Sequence, residues 1–283
     1  MRLALTDSLS DPGSAGRPND DAFCAADGFA AVLDGATGLG GRLLDTPSDA
    51  AWVAQQGAER LTHHSTTHHG HDLLRAALAD VEARFVAERL SAPTEMYELP
   101  MASLMMVQAG PPDALTALWF GDCSALVQRP GQAIEVVGSA FDQKADEAGA
   151  AASLAASLGM GAVGHLERPE FLTLARAARN RYNTADDGDW VFAPDVRCAE
   201  HAQTATLAAP PGTWLLLATD GFLALASDYQ RYDPAGLMAA ARTEGLAALL
   251  RELRAIEDAD PEGRRFPRFK KGDDATALLL EVR

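Results

Sequence analysis

Five short segments, spread along nearly the whole chain, each place an aspartate at the edge of an apolar run. They are residues 17–21, 31–37, 119–122, 215–221 and 271–276. A carboxylate at the end of a buried strand is costly in free energy unless a cation receives it. Carboxylate oxygens are hard ligands, which favour Mg²⁺ or Mn²⁺ over zinc. The pattern therefore indicates carboxylates that converge on divalent metal ions.

The first two segments belong to one predicted hairpin. Residues 22–26 and 29–33 flank the dipeptide Asp27-Gly28, which is favoured in two-residue type I′ turns. Counting outward from this turn pairs Asp21 with Asp34, with Cβ atoms roughly 4.5 to 5.5 Å apart. Two facing carboxylates repel each other, so a divalent ion between or beside them is the simplest interpretation. One of the pair can instead serve as a hydrogen-bonded group behind the ligands.

Length and charge limit the classes of function. The chain has 283 residues and no linker that divides it, so we expect a single domain over residues 1–283. It carries 24 basic and 40 acidic residues, a net charge of −16. Such a surface argues against binding to nucleic acids and anionic membranes. It also disfavours phosphorylated substrates, unless bound metals reverse the local field.

Three isolated cysteines, without a CxxC spacing, indicate a reducing compartment. Cys24, Cys123 and Cys198 are interpreted as small buried hydrophobic residues.

No apolar stretch reaches the roughly 18 to 20 residues that span a bilayer. The N-terminal residues read as a first strand and not as a signal peptide, so we expect a cytoplasmic protein.

Two helices should follow the hairpin, over residues 48–61 and 72–89, the first with Ser48 as its N-cap. Between them lie five histidines in nine residues. This cluster can bind a transition metal, but a polar loop between helices is the favoured interpretation, because neither a carboxylate nor an apolar frame stands beside it. The histidines are His63, His64, His68, His69 and His71.

The rest of the chain separates strands from helices. Residues 102–108, 114–120, 125–128 and 133–137 read as an antiparallel meander. Residues 144–183 are helical in pattern, 183–194 are irregular and acidic, and 235–257 are again helical. Strands are expected over 214–218 and 275–282. This segregation predicts an α+β sandwich of antiparallel sheets covered by helix pairs.

Taken in order, the five aspartate segments resemble the motif series of the metal-dependent type 2C protein serine/threonine phosphatases. The matches are residues 17–21, 32–35, 121–124, 216–221 and 273–276, and the resemblance spans essentially the whole chain. It implies an antiparallel β-sandwich flanked by helix pairs on both faces, a four-layer αββα arrangement. It also implies a monomeric phosphatase that acts on phosphoserine or phosphothreonine in proteins.

The resemblance implies a role for each carboxylate. Asp34 corresponds to the ligand that bridges two Mn²⁺ or Mg²⁺ ions, and Asp21 to the residue that buttresses the site. A hydroxide shared by the two ions would then attack phosphorus in line. The resemblance further implies that Asp220 and Asp273 bind the first ion, that the carbonyl of Gly35 binds the second, and that Asp20 reaches the second ion through a water molecule. Asp122 would bind a third and weaker ion, and Arg17 would bind the substrate phosphate.

The chain departs from this motif series at three places. Ala36 stands where many members carry a histidine proposed as general acid, so a water would have to protonate the leaving group. The third motif reads Gly121-Asp-Cys-Ser124 and lacks its arginine, and Arg17 lies one residue closer than usual to the acidic pair. These departures weaken the assignment of the substrate more than that of the metals.

Three other functions are compatible with parts of the pattern. A phosphatase of the haloacid dehalogenase type needs a second aspartate two positions after the first, and Ala36 follows Asp34 there. A non-catalytic binding module would have no reason to keep Asp34, Asp220 and Asp273 close together. A hydrolase of small phosphoesters fits the metal ligands equally well, because residues 141–194 would select the substrate.

Overall fold

Two antiparallel sheets pack face to face in a computed structural model, which describes residues 2–110, 112–141, 149, 163–164, 168–185 and 188–283. The front sheet has the strand order β2-β3-β4-β5-β8 and the back sheet has the order β1-β10-β9-β6-β7. The strands are β1 Leu3–Asp11, β2 Asp21–Ala26, β3 Phe29–Gly35, β4 Ala102–Ala109, β5 Ala114–Phe120, β6 Ser124–Gln128, β7 Glu135–Gly138, β8 Gln203–Ala208, β9 Trp214–Ala218 and β10 Ala275–Val282.

Alternation along the strands produces three apolar layers. In β3, Ala30 and Val32 belong to the core between the sheets, whereas Phe29, Ala31 and Leu33 pack against helices on the outer face. The outer face of the back sheet is covered in the same way by the later helices. The predicted four-layer αββα arrangement is therefore confirmed.

Among the described helices, one pair covers the outer face of each sheet. Ser48 caps the first helix as predicted, since its side chain accepts a hydrogen bond from the Ala51 N–H. The predicted helical region 235–257 is two helices, separated at Gly245, where φ is +83°. The helices are α1 Asp49–His64, α2 Gly70–Glu88, α3 Pro169–Arg179, α4 Asp220–Leu223, α5 Pro234–Glu244 and α6 Leu246–Ala259. Much of the helical region predicted over 144–183 lies outside the described residues.

The first hairpin has the predicted register but not the predicted turn. Asp21 pairs with Asp34, and Ala26 pairs with Phe29 across a two-residue loop. Positive φ occurs at Gly28, at +70°, and not at the preceding aspartate, so the turn is not type I′. Glycine takes the left-handed conformation without a steric penalty, and an L residue does not.

The predicted meander is wrong, because the chain changes sheets after β5. Strand β5 pairs with β4 and β8 in the front sheet, while β6 pairs with β7 and β9 in the back sheet. The crossing occurs at Gly121, whose φ is +63°. Strand β8 has no counterpart among the predicted elements.

The histidine cluster is not a simple loop without acidic neighbours. His63 and His64 lie in the last turn of α1, and His71 lies at the start of α2. The Nε2 atom of His64 is 2.9 Å from Oδ2 of Asp80, which corrects the expectation that no carboxylate stands beside the cluster. Nevertheless, among the described residues, no three of the cluster's side chains lie close enough together to share a metal ion with one another or with a carboxylate.

We therefore expect the histidine cluster to be dispensable for catalysis. Replacing all five histidines with asparagine removes the partly exposed hydrogen bond between His64 and Asp80, far from any predicted metal ligand, and should leave turnover within about threefold of the parent. Steady-state assays of the parent and of the fivefold variant test this. A loss of about a hundredfold would show a role in the reaction.

Burial makes the cysteines unreactive. Cys123 and Cys198 are fully buried and Cys24 is half-buried. Burial raises the pKa of Cys24 to about 11 and that of Cys198 to about 12. At about pH 8, an aromatic disulfide reagent should therefore label Cys123 and Cys198 only after unfolding in guanidinium. Rapid labelling of either thiol in the folded protein, followed by absorbance, would contradict this.

No helix in the described part of the chain is long and apolar enough to cross a bilayer.

Candidate metal centre

A group of three carboxylates lies at one end of the sandwich. Asp34 continues the alternation of Ala30 and Val32, so its side chain points toward the gap between the sheets. Asp122 follows the end of β5, and Asp220 begins α4 directly after β9. One oxygen from each carboxylate lies within 4.8 Å of the others, and the described residues form no other such group.

The three carboxylates fit a hard divalent cation. Burial raises the pKa of Asp34 well above its ordinary value, and Asp21, Asp220, Asp122 and Asp273 raise it further. The protein thus holds acidic groups together at a cost that a bound cation would offset. Three carboxylate oxygens are a donor set typical of Mg²⁺ or Mn²⁺.

Asp21 supports the group from behind. It is buried, and its Oδ2 accepts a hydrogen bond of 2.9 Å from the Thr219 hydroxyl. Its Oδ1 is buried and accepts no hydrogen bond from the described residues. Burial raises the pKa of Asp21 well above its ordinary value. This environment suits the buttressing position that the sequence predicts for it.

Asp20 lies in a tightly bonded loop next to the group. Its side chain accepts a hydrogen bond from the Ser48 hydroxyl at the start of α1, and burial raises its pKa. Its backbone N–H donates to Asp274 Oδ2 at 2.7 Å, and its carbonyl accepts from the Gly35 N–H at 3.1 Å. A Cβ on Gly35 would lie 2.5 Å from the Asp20 carbonyl oxygen, so this contact requires glycine. The predicted metal contact of the Gly35 carbonyl stays a prediction.

Asp273 lies at the edge of the group and binds a lysine. Its Oδ1 accepts a hydrogen bond of 2.7 Å from Lys270 Nζ. Burial alone would lower the pKa of Lys270. The negative charges of Asp273, Asp34 and Asp220 have the larger effect, so the pKa of Lys270 is raised. The ammonium of Lys270 therefore lies next to the carboxylates, and the sequence motifs did not predict a lysine there.

Arg17 lies on the same side of the molecule as the carboxylates. It lines a small cavity together with Asp20, Lys270 and Asp273, and its charge partly opposes the rise that burial causes in the pKa of Asp20. The guanidinium is therefore close to the acidic group, as its predicted contact with a substrate phosphate requires. That contact itself remains a prediction.

Sequence reasoning missed the hydroxyls and the lysine that hold the carboxylates. Ser103 donates to Asp122 Oδ1 at 2.6 Å, and Thr219 donates to Asp21. The sequence predicts Ser48 only as a helix cap, but its hydroxyl also donates to the Asp20 carboxylate. Lys270 precedes Asp273 by three residues, a spacing at which opposite charges can meet, and this was the signal available in the sequence.

No protein-family model matches the sequence, and neither does any curated protein. Solved structures do match. The catalytic domain of the serine/threonine protein phosphatase PstP, in complex with two manganese ions, has a TM-score of 0.53 at 17% identity, over 99% of this chain and 98% of that chain.

Two further structures match over similar lengths. The serine/threonine phosphatase PstP/Ppp of Mycobacterium tuberculosis has a TM-score of 0.55 at 15% identity over 100% of both chains. The serine/threonine phosphatase Stp1 of Staphylococcus aureus has a TM-score of 0.54 at 15% identity, over 99% of this chain and 96% of that chain. At these identities the likeness establishes that the chain has the type 2C phosphatase fold.

Proposed function

We propose that this protein is a metal-dependent phosphoric monoester hydrolase, and that its substrates are phosphoserine and phosphothreonine residues of proteins. The observation that carries the proposal is the convergence of Asp34, Asp122 and Asp220 at the end of the sandwich. The fold is shared with protein phosphatases, one of which binds two manganese ions. Fold alone does not give function, so the argument depends on the carboxylates.

The residues present can hold two Mn²⁺ or Mg²⁺ ions. Asp34 is central, and the proposed further ligands are Asp220, Asp273, Asp20 and the carbonyl of Gly35, with Asp122 serving a third and weaker ion. When bound, such ions lower the pKa of a water and screen the charge of a phosphoryl group. Each proposed ligand lies at the end of a strand, in a loop beside a strand or, for Asp220, at the start of α4, so the sandwich fixes its position.

The chain's own residues prepare the site for this chemistry. Thr219 orients Asp21, which in turn faces Asp34 across the β2–β3 ladder. Ser48 holds the side chain of Asp20. Ala36 has no group that can donate a proton, so the leaving oxygen would take its proton from solvent.

A hydrolase of small phosphoesters remains the second candidate. The carboxylates serve either substrate equally well. The cavity beside them presents the positive charges of Arg17 and Lys270 to a phosphate group and does not specify what carries that group. A comparison of substrates on one preparation therefore separates the two candidates.

The direct test is phosphate release that depends on added metal. We expect hydrolysis of p-nitrophenyl phosphate and of a phosphothreonine peptide with Mn²⁺ or Mg²⁺, and recovery of activity when metal is restored after EDTA. Preference for the peptide over small phosphoesters, by kcat/KM, would support the protein substrate. Full activity in excess EDTA would contradict the metal-dependent mechanism.

A further inference from the structure

Lys270 is a partly exposed positive charge at the edge of an acidic centre. The segment 264–271 carries five of the chain's 24 basic residues. Most of these are engaged elsewhere: Arg268 binds Asp260, and Lys271 binds Asp258 at the surface. Within the described residues of this segment, Lys270 is the one whose side chain turns to a predicted metal ligand, Asp273.

The segment that carries Lys270 is held firmly in place. The carboxylate of Asp260 accepts hydrogen bonds from the backbone N–H groups of residues 264, 265 and 266, and from the guanidinium of Arg268. On the other side of Lys270, Arg254 donates to the carbonyl of Asp273 at 2.9 Å. The lysine is therefore presented to the centre from an ordered backbone, which lowers the entropic cost of using it to bind a ligand.

Counting charges shows why a further cation is needed. Two divalent ions would offset the four carboxylates of Asp34, Asp122, Asp220 and Asp273, while Asp20, Asp21 and Asp274 would remain. A phosphate monoester adds negative charge to this site, and the whole chain already carries −16. Arg17 lines the adjacent cavity, and Lys270 lines it as well.

We infer that Lys270 binds the phosphate group of the substrate, beside Arg17, in the cavity that both residues line. The inference rests on the proposed function, because it assumes a phosphate ester as substrate. The ammonium of Lys270 can donate to a phosphate oxygen while it keeps its hydrogen bond to Asp273 Oδ1, since an ammonium has three N–H donors. Lysine acts in this role as a point charge.

The test compares Lys270→Met with Lys271→Met in the protein loaded with Mn²⁺. Both changes remove one adjacent positive charge, but Lys271 pairs with Asp258 away from the cavity. Titration calorimetry with inorganic phosphate should show binding about tenfold or more weaker for Lys270→Met, and within about twofold for Lys271→Met. KM for p-nitrophenyl phosphate should rise in parallel, with a smaller fall in kcat. Lys270→Arg, which keeps the charge, should restore most of the phosphate affinity.

Titration with Mn²⁺ alone gives a readout that does not need activity. If Lys270→Met tightens Mn²⁺ binding and leaves phosphate affinity unchanged, the lysine is only a counter-ion of Asp273, and the inference is overturned. If the parent protein binds phosphate through Lys270 but hydrolyses no phosphoester, the proposed function fails, and only the assignment of Lys270 to a phosphate-binding site stands. Thermal melting of each variant shows that the comparison is made between folded proteins.

Discussion

The Asp34→Asn variant should lose about 10³-fold or more in kcat at saturating Mn²⁺, equivalent to roughly 4 kcal/mol of activation free energy. Asp34 lies with Asp122 and Asp220 in the candidate centre and faces Asp21 across the β2–β3 ladder. The change removes one negative charge and one strong oxygen ligand from the proposed bridging position. Steady-state assays with a small phosphoester measure the effect.

Matched variants separate this effect from a general loss of charge. Asp27→Asn makes the same change at the opposite, exposed end of the same hairpin and should leave kcat unchanged. Asp122→Asn should cost much less than Asp34→Asn, because it affects only the weaker third position. Near-parental turnover in Asp34→Asn would mean that this aspartate is structural.

Thermal melting of Asp34→Asn in EDTA gives an independent check. Burial and four neighbouring carboxylates disfavour the charged form of Asp34, as its raised pKa shows. The neutral amide removes repulsion with Asp21, so the melting temperature without metal should be no lower than that of the parent and can be higher. A melting temperature several degrees lower would indicate a structural hydrogen bond that the amide cannot replace.

The parts of the fold that the sequence predicted depend on local geometry. The β2–β3 register follows from the length of one tight turn, and it placed Asp21 opposite Asp34 correctly. Strands β5, β9 and β10 are short apolar runs with clear boundaries, and their bounds match the prediction. The helix start at Ser48 follows from one side chain that caps the helix.

The predictions that failed concern features of the fold that depend on contacts between segments distant in sequence. The change of sheet after β5 follows from the pairing of β5 with β8, whose residues are separated in sequence by nearly ninety positions. Strand β8 alternates threonine and alanine, a pattern with little hydrophobic contrast. Neither its existence nor its partner could be read from local periodicity.

The sequence predicted three of the aspartates that the structure brings together, and it predicted Arg17 beside them, but it gave no expectation for Lys270. Aspartates at strand ends can be recognised in the sequence, because burying a carboxylate costs free energy unless a cation or a hydrogen-bond donor binds it. A lysine in a basic segment of an exposed loop does not stand out in the same way. Only the packing of segment 264–271 on Asp260 shows that Lys270 turns inward, toward Asp273.

The second large effect concerns the stability of this same region. Arg254 on α6 binds Asp11 of β1 at 2.9 Å, Glu257 at 2.8 Å and the carbonyl of Asp273 at 2.9 Å. Glu257 is buried, and burial raises its pKa although Arg254 opposes that shift. Arg254→Met would leave this carboxyl without its cation, at a cost of about 3 kcal/mol. The melting temperature should therefore fall by about 6 to 12 °C for a chain of this size.

Two comparisons show whether the lost ion pair causes this fall. Arg251→Met on the same helix removes an exposed guanidinium that is bonded to the Ala247 carbonyl, and should change the melting temperature by less than about 2 °C. Adding Glu257→Gln to Arg254→Met removes the unpaired charge and should recover part of the stability. Because Arg254 also holds the Asp273 carbonyl, the single variant should bind Mn²⁺ more weakly, and the double variant should not regain that affinity. Equal melting temperatures for the parent and Arg254→Met would show that Glu257 is already neutral and needs no partner.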